Sequence, residues 1–427
     1  MAPMGRTSMK PALVCRIMAA LGCVIILESH PAGDAAELSP PGYTLNQVVQ
    51  LALQHNPMMN GAEAVLEQSQ SQRVTAGAYL NPTITGSAGR GSIREPSTGV
   101  SITERTITVE QPLEWLGKRT ARQRAADAGV AGALAGVDET KVLVMTDVKG
   151  AFFQLLLAQQ DAQLARENLK TVEDLVKLVS ARVSTREAPK FELVKATVEL
   201  QKTRKDLARA DNALLVARAK LNTVTGKALG ESFAIQGEFE TVRSGLDLRV
   251  LTDQALDRHP ALRRQQKAVE QAEFTIEQER ASRMPNVAVI GQYHREAGDE
   301  SVTAGLSVPL PLWYRRQGEI GTAMGAHRRA QAERARVQQE LEQTITQHFQ
   351  EVRTAQEQMQ VFEQGLLYQA KEAFDIAQFS FRHGVASLLE VIDAQRVYRQ
   401  TLLEYAQARA DHSIALARLE RAVGGLP

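Results

Sequence analysis

The chain has few cysteines and few aromatic residues. Its 427 residues include two cysteines and two tryptophans, and aromatic residues make up 5% of the sequence. Both cysteines, Cys15 and Cys23, lie near the N-terminus, so residues 24–427 contain no thiol. A protein cleaved after this region has no disulfide, no thiolate metal site and no cysteine nucleophile.

Excess charge of either sign is also absent. The formal net charge is +1, which excludes the strongly basic surface typical of nucleic-acid-binding proteins. The 8 histidines are scattered without a His-Glu-x-x-His pattern, and the phosphate-binding glycine loops and the Gly-x-Ser-x-Gly nucleophile motif are missing. We therefore predict a protein that is not an enzyme, with no catalytic residues, no cofactor and no resident metal ion.

The N-terminus has the pattern of an export signal. Arg6, Lys10 and Arg16 precede an apolar run over residues 17–27, and small residues follow at 32–36. The run is shorter than the roughly 20 residues needed to span a bilayer, which disfavours a membrane anchor. We predict a signal peptide over residues 1–36, with lipidation at Cys23 as an alternative.

The two halves of the chain repeat one another. Pro57 and Pro82 recur as Pro260 and Pro285 at one constant separation, and the predicted elements follow in the same order. A repeat of this size is half a protein used twice, not a short solenoid unit. We predict a first structural repeat over residues 37–240 and a second over residues 241–427.

Long helices fill most of each repeat. In the first, apolar residues recur at alternating steps of four and three from Val144 to Val183 without a polar interruption. This period is typical of a left-handed coiled coil. The second repeat follows it more loosely, from Ile345 to Ala377. We predict long helices over residues 117–184, 190–225, 315–382 and 387–423, paired as two coiled-coil hairpins.

Two strand pairs are inserted between the helices. Larger residues alternate with small or polar ones over residues 82–91, 100–110, 286–294 and 301–309. Each segment is close to the 9–11 residues that a tilted strand needs to cross a membrane. Because a membrane barrel needs at least about 8 strands to close, several copies of the chain must contribute to one wall.

Both tryptophans follow the second strand of their repeat. Trp115 comes after Pro112-Leu113, and Trp313 comes after Pro309-Leu310. Tryptophan is enriched at membrane–water interfaces, so both residues are candidate interface anchors. Packing at a strand-to-helix corner is the alternative.

Three segments carry a resemblance to a known family. Taken in this order and within a duplicated chain, residues 43–57, 308–320 and 384–395 resemble the trimeric outer-membrane factors of tripartite efflux pumps, the TolC-like channels. The resemblance implies a mainly α-helical protein with a small transmembrane β part. Three chains would form a twelve-stranded β-barrel continuous with an α-helical barrel. The Pro-Leu-Pro-Leu-Trp stretch ending at Trp313 is most similar to the cobalt-zinc-cadmium branch, which implies heavy-metal cations as cargo.

The same resemblance implies location and partners. They are the Gram-negative outer membrane and its lipid, two further copies of the chain, a periplasmic adaptor protein and an inner-membrane RND pump. An outer-membrane channel for drugs or type I secretion is an alternative. A periplasmic coiled-coil adaptor or scaffold without a pore is an alternative of a different class. The two strand pairs favour the duct, because an adaptor needs one helical hairpin and a compact β domain.

The resemblance also places a periplasmic gate where the long helices turn back. Glu192, Glu390 and Asp393 match polar gate positions of the family. Threefold symmetry would turn each into a ring of three carboxylates that attracts cations. An ordinary helix start is the alternative, since acidic residues favour the first helical turn.

Two gate positions depart from the pattern of some family members. Phe381 and Ala386 stand where those members carry the tyrosine and arginine that latch the closed tip. That hydrogen-bonded lock is therefore not expected here. The adjacent Arg382 and His383 are candidate substitutes.

Overall fold

The computed structural model describes residues 42–94, 99–242 and 245–425. The predicted signal peptide, residues 1–36, lies outside the described residues. The predictions of its cleavage and of lipidation at Cys23 therefore stay predictions.

The described residues follow one order of elements twice. Each half has two shorter helices, two strands and two long helical segments, and in the second half the first of these segments is divided into α7 and α8. The first half contains α1 (Leu45–His55), α2 (Pro57–Gly77), β1 (Thr83–Arg94), β2 (Gly99–Leu113), α3 (Lys118–Ser184) and α4 (Lys190–Val224). The second half contains α5 (Leu248–Arg258), α6 (Pro260–Ala281), β3 (Val287–Glu296), β4 (Asp299–Ser307), α7 (Gln317–Val361), α8 (Leu367–Arg382) and α9 (Leu388–Val423).

The repeated prolines mark equivalent helix starts. Pro57 and Pro260 begin α2 and α6, where a missing N–H removes no helical hydrogen bond. The residue before each proline caps the helix. Asn56 Oδ1 accepts the Met58 N–H at 2.8 Å, and His259 Nδ1 accepts the Ala261 N–H at 3.2 Å.

The helix α3 is the longest helix of the described residues and packs against most of the other helices. Its 67 residues correspond to a length of about 100 Å at roughly 1.5 Å per residue. It packs against α2 and α6 near the strands and against α4 and α9 farther along. Most of the predicted apolar stripe is buried: Val144, Val148, Ala151, Leu155, Ala162, Ala165, Val172 and Val179.

The counterpart of α3 in the second repeat is not one continuous α-helix, so the prediction of one helix over residues 315–382 was wrong. A π-helical turn, Phe362–Leu366, separates α7 from α8. Gly365 lies within it at φ 154°, ψ −23°. This backbone conformation is open to glycine and strained for other residues. Compared with an uninterrupted α-helix, the π-helical turn contains one additional residue between α7 and α8.

The two strand pairs join into one antiparallel sheet in the order β1-β2-β3-β4. The central contact pairs β2 with β3 across the two repeats, from Leu113 opposite Val287 to Glu104 opposite Glu296. The strands of the first repeat are longer than predicted, with 12 residues in β1 and 15 in β2. Local alternation predicts the strands, but it does not predict which hairpins pair.

The segment between the repeats crosses the middle of the bundle. Ile235 forms a parallel bridge with Tyr43, and Phe239 packs near Phe153 with ring centroids 6.3 Å apart. Ile235, Phe239 and Phe153 belong to a large buried cluster that also contains Phe152, and Tyr43 packs against it. The core therefore lies at the level of this segment, between the strands and the far helical turns.

Candidate functional site

The helical turns farthest from the sheet meet in one apolar cluster. The turn between α3 and α4 and the turn between α8 and α9 both contribute to it. We call this end the tip. Its buried residues are Leu175, Val179, Ala196, Phe381, Leu388, Val391 and Ile392. Two residues in the turns, Arg186 at φ 62° and Gly384 at φ 77°, take the left-handed conformation that reverses the chain after a helix.

Arg182 joins the two turns. Its Nη2 donates a hydrogen bond to the backbone oxygen of Arg382 at 3.2 Å, and its guanidinium lies 4.9 Å from the centroid of the Phe381 ring. Phe381 is buried, and a cation above an aromatic face is favourable. Sequence analysis did not single out Arg182, because both contacts join residues far apart in the chain, 200 positions for Arg382 and one fewer for Phe381.

The other gate-adjacent residues make local contacts. His383 Nδ1 lies 2.9 Å from the backbone oxygen of Phe379, and the two rings are 4.2 Å apart. Arg382 is exposed and contributes its carbonyl to Arg182. The predicted roles of Arg382 and His383 in latching the tip stay predictions.

Each predicted carboxylate of the tip lies in or near the first turns of a helix. Glu390 accepts the Ser387 N–H at 2.8 Å, which completes a capping box with the Ser387 hydroxyl. Asp393 pairs with Arg396 at 3.2 Å. Glu192 lies in the first turn of α4 and is half-buried. Within the described residues, no hydrogen bond or ion pair joins Glu192 to Glu390 or Asp393.

The sheet has two chemically different faces. The pairing register assigns alternate residues of all four strands to one apolar face: Ile84, Gly86, Ala88, Ile107, Val109, Val289, Gly291, Tyr293, Val302, Ala304 and Leu306. Among the large aliphatic side chains on this face, Ile84, Ile107, Val302 and Leu306 are more than half exposed, and Val302 is 81% exposed. An exposed apolar surface of this extent marks a contact with lipid or protein.

The opposite face is polar and acidic. It carries Thr83, Thr85, Ser87, Glu104, Thr106, Thr108, Glu110, Gln292, His294, Glu296, Ser301 and Thr303. Near the hairpin end, the Thr106 hydroxyl lies 3.0 Å from His294 Nδ1, and His294 Nε2 lies 3.4 Å from a Glu296 oxygen. Sequence analysis noted the alternation but did not single out Glu104, His294 and Glu296.

The described residues contain no group of three or more His, Asp or Glu side chains arranged to hold a metal ion. The polar face and the tip carboxylates are therefore surfaces with charge, without the geometry of a tight metal centre.

The junction between strands and helices exposes aromatic and aliphatic side chains. Trp115 is 44% exposed, Trp313 90% and Leu116 91%. Both indole rings are therefore at least partly exposed on the surface of the chain, and their role as interface anchors stays a prediction.

An ion pair and a hydrogen bond hold the residues of the junction between strands and helices in place. Arg122 contacts Glu114 at 2.6 Å, and the hydrogen bond from Arg122 lowers the pKa of the Glu114 carboxyl. Lys118 Nζ donates to Asn286 Oδ1 at 2.6 Å across the two repeats. The corner between β2 and α3 is thus tied to the connection between α6 and β3 in the second repeat.

The long helices pack in pairs, turn back at the tip and end at a sheet with one apolar and one polar face. This architecture defines the class of long-helix outer-membrane channels. The family described as "Outer membrane efflux protein" matches residues 48–227 and 251–425. The chain therefore belongs to the outer membrane efflux protein family. It is an outer-membrane transport duct that extends into the periplasm, and it is not an enzyme. The alternative of a scaffold without a pore is excluded.

Named relatives differ in the cargo that their names state. The cobalt-zinc-cadmium resistance protein CzcC of Cupriavidus metallidurans is 24% identical over 383 residues, covering 89% of this chain and 90% of the relative. The cation efflux system protein CusC of Escherichia coli O157:H7 is 24% identical over 398 residues, covering 87% and 85%. The pyoverdine export outer membrane protein OpmQ of Pseudomonas aeruginosa is 22% identical over 412 residues, covering 89% and 83%.

Solved structures show the same fold. The outer-membrane channel OprN superposes with a TM-score of 0.75 at 19% identity, covering 90% of each chain. VceC from Vibrio cholerae superposes with a TM-score of 0.74 at 19% identity, covering 89% of this chain and 96% of VceC. At these identities the likeness concerns the fold alone.

Proposed function

We propose that three copies of this chain assemble into one export duct. Each copy would contribute its sheet to a twelve-stranded barrel and its long helices to a helical barrel. The open sheet carries this proposal, because the described strands β1 and β4 each pair on one side only. In lipid, each unsatisfied backbone group costs several kcal/mol, so these edges need partner strands. Neighbouring copies supply them when β4 of one pairs with β1 of the next.

The two faces of the sheet support the same arrangement. In a membrane barrel, side chains alternate between lipid and lumen. The apolar face would meet lipid, and the face with Glu104, Glu110 and Glu296 would line the lumen. No lysine or arginine lies on that inner face in the described register. A wall lined by carboxylates favours cations over anions.

Heavy-metal cations are the cargo that these observations favour. The acidic inner face fits cations, and two relatives are named for metal resistance and cation efflux. The absence of a tight metal centre in the described residues also suits a conduit, since strong sites retain what they should release. Export of an organic molecule is the second candidate, supported by the relative named for pyoverdine export.

The tip is the surface that would engage the rest of the system. Val385, Phe379 and Phe191 are 83%, 65% and 62% exposed near the two turns. Exposed apolar side chains at a helical turn suit contact with another helical protein. We assign this contact to a periplasmic adaptor that connects the duct to an inner-membrane RND pump.

The deciding experiment expresses the chain in a strain that lacks its own copy. We expect a detergent-stable trimer in the outer-membrane fraction, together with restored resistance to Zn²⁺, Co²⁺ and Cd²⁺ and lower cellular metal content. Recovery as a soluble periplasmic monomer would contradict the duct. A trimer that restores resistance to organic drugs but not to metals would leave the duct standing and reject the cation cargo.

A further inference from the structure

A row of arginines crosses the apolar face of the sheet near its hairpin end. Arg90 of β1, Arg105 of β2 and Arg295 of β3 share this face. Arg105 is paired with Ala88 on one side and with Arg295 on the other. Arg90 lies two residues beyond Ala88 on the same face, which makes it the diagonal neighbour of Arg105. We call these three residues the arginine row.

Among the residues that the structure describes, the acidic side chains that contact the arginine row are fewer than its three arginines. Glu300 of β4 is paired opposite Arg295 and contacts it at 3.4 Å. Arg90 and Arg105 have no ion-pair partner within the described part of the chain. Like charges directly opposite each other destabilise a sheet, as at Arg105 and Arg295. An anion from outside the chain would remove this repulsion.

The height of the row on the sheet indicates where that anion comes from. Arg105 lies eight residues before Leu113, where β2 ends at the helical junction. At roughly 3.4 Å per residue and a tilt of about 40°, the row stands about 21 Å above that end. The apolar band of a membrane barrel is about 25 Å tall. An arginine side chain reaches the remaining distance by extending toward the polar border.

We propose that the arginine row binds phosphate-bearing lipid headgroups in the outer leaflet of the outer membrane. A guanidinium presents a planar fork of N–H donors that matches phosphate oxygens in a bidentate manner. Lipid headgroups supply phosphate at this height and on this face. Glu300 compensates Arg295, which leaves Arg90 and Arg105 for the phosphate. The inference rests on the proposed barrel, because closure of the barrel turns this face toward lipid.

The test measures lipid binding to the purified full-length trimer. Native mass spectrometry in detergent counts the diphosphoryl lipid A molecules retained during a titration. We expect R90Q/R105Q to bind roughly tenfold more weakly, since a charge-assisted hydrogen bond contributes enough for that change. R90K/R105K should lie between it and the wild type, because lysine keeps the charge and loses the fork.

The control is R328Q/R329Q, which removes the same charge from exposed positions of α7. It should bind lipid A like the wild type. Millimolar inorganic phosphate should not displace the lipid, because the headgroup is held at a lipid-facing surface.

The possible failures are distinct. An intact R90Q/R105Q trimer with unchanged affinity overturns the lipid site and leaves the duct standing. Displacement by inorganic phosphate also overturns it, in favour of a phosphate site without lipid preference. If the wild type is not a trimer, the proposed function fails and the lipid site fails with it. If R90Q/R105Q does not assemble, R105Q alone and the lysine variant decide the outcome by the same comparison.

Discussion

Glu390 combines a structural role with a proposed electrostatic one. Its carboxylate accepts the Ser387 N–H at 2.8 Å and so caps α9, while Asp393 pairs with Arg396 at 3.2 Å. Neither contact needs a second copy of the chain. A helix cap needs an oxygen acceptor, whereas a cation ring needs negative charge. The two roles can therefore be separated by amide substitutions.

We expect Glu390→Gln combined with Asp393→Asn to lower the cation-to-anion permeability ratio in planar bilayers. The amide oxygen at position 390 keeps the cap, so assembly should be unchanged. Glu231→Gln, an exposed position in the segment between the repeats, is the control for charge removal. Unchanged selectivity in the double variant would reject the carboxylate ring and leave these residues as ordinary helix-start acids.

His412 is a buried titratable residue within α9. It is fully buried, and neither ring nitrogen has a hydrogen-bond partner among the described residues. Burial lowers the pKa of its imidazole, and the negative charge of Glu240 partly opposes this shift. The ring is therefore neutral in the folded protein at pH 7.5.

Acidification should destabilise the protein through His412. The unfolded chain takes up a proton as the pH falls below about 6.5, while the folded chain resists protonation until a lower pH. Stability therefore falls between the unfolded pKa and the lower folded pKa. We expect His412→Leu to lose less thermal stability than the wild type between pH 7.5 and 5.5, measured as the unfolding midpoint. His327→Leu on α7 is the control, and equal losses in H412L and the wild type would contradict the prediction.

At the scale of the element, the π-helical turn explains the looser pattern of the second repeat. The buried stripe of α7 includes Val352 and Met359, and that of α8 includes Ala370 and Phe381. Both stripes follow the heptad, but the second is one residue out of phase with the first. One additional residue in the π turn accounts for this shift, because it extends the chain without rotating the buried face. The sequence predicts long helices from periodicity, and the phase shift is the signal that was missed.

Deletion of Gly365 should therefore be tolerated. It removes the residue in the non-helical conformation. The helices α7 and α8 can then join into one continuous helix whose buried residues follow a single heptad register. We expect the deletion variant to assemble and to keep a thermal midpoint near that of the wild type.

Deletion of Gln350 is the matched control. This residue is exposed on α7, and its loss rotates all later side chains by about 100° against α9. We expect this control to lose assembly, measured by the fraction recovered as trimer. Equal loss in both deletions would contradict the account of the π turn.

At the scale of the whole molecule, local patterns predicted the helices and strands, and long-range contacts were out of reach. The heptad from Val144 onward and the repeated prolines indicated α3 and the duplicated order. The pairing of β2 with β3 joins segments in different repeats, and the contact between Arg182 and Phe381 joins two turns. No spacing within either segment specifies such a partner.

The candidate site was predictable to a similar degree. The positions of Glu192, Glu390 and Asp393 near helix starts follow from the sequence, but the contacts that occupy Glu390 and Asp393 do not. The separation of charge between the two sheet faces follows from a period of two residues. It becomes visible only once the register places Arg105 beside Arg295 and Glu104 beside Glu296.

The unpaired edges of the sheet have a genetic consequence. If closure of the barrel requires every copy to pair through both β1 and β4, one copy with a mutation that prevents pairing at either strand inactivates the assembly that contains it. With random mixing of equal amounts of intact and damaged chains, only about one assembly in eight would contain intact copies alone. Edge mutations should therefore behave as dominant alleles in a cell that also carries the normal gene, whereas mutations that prevent export of the chain should be recessive.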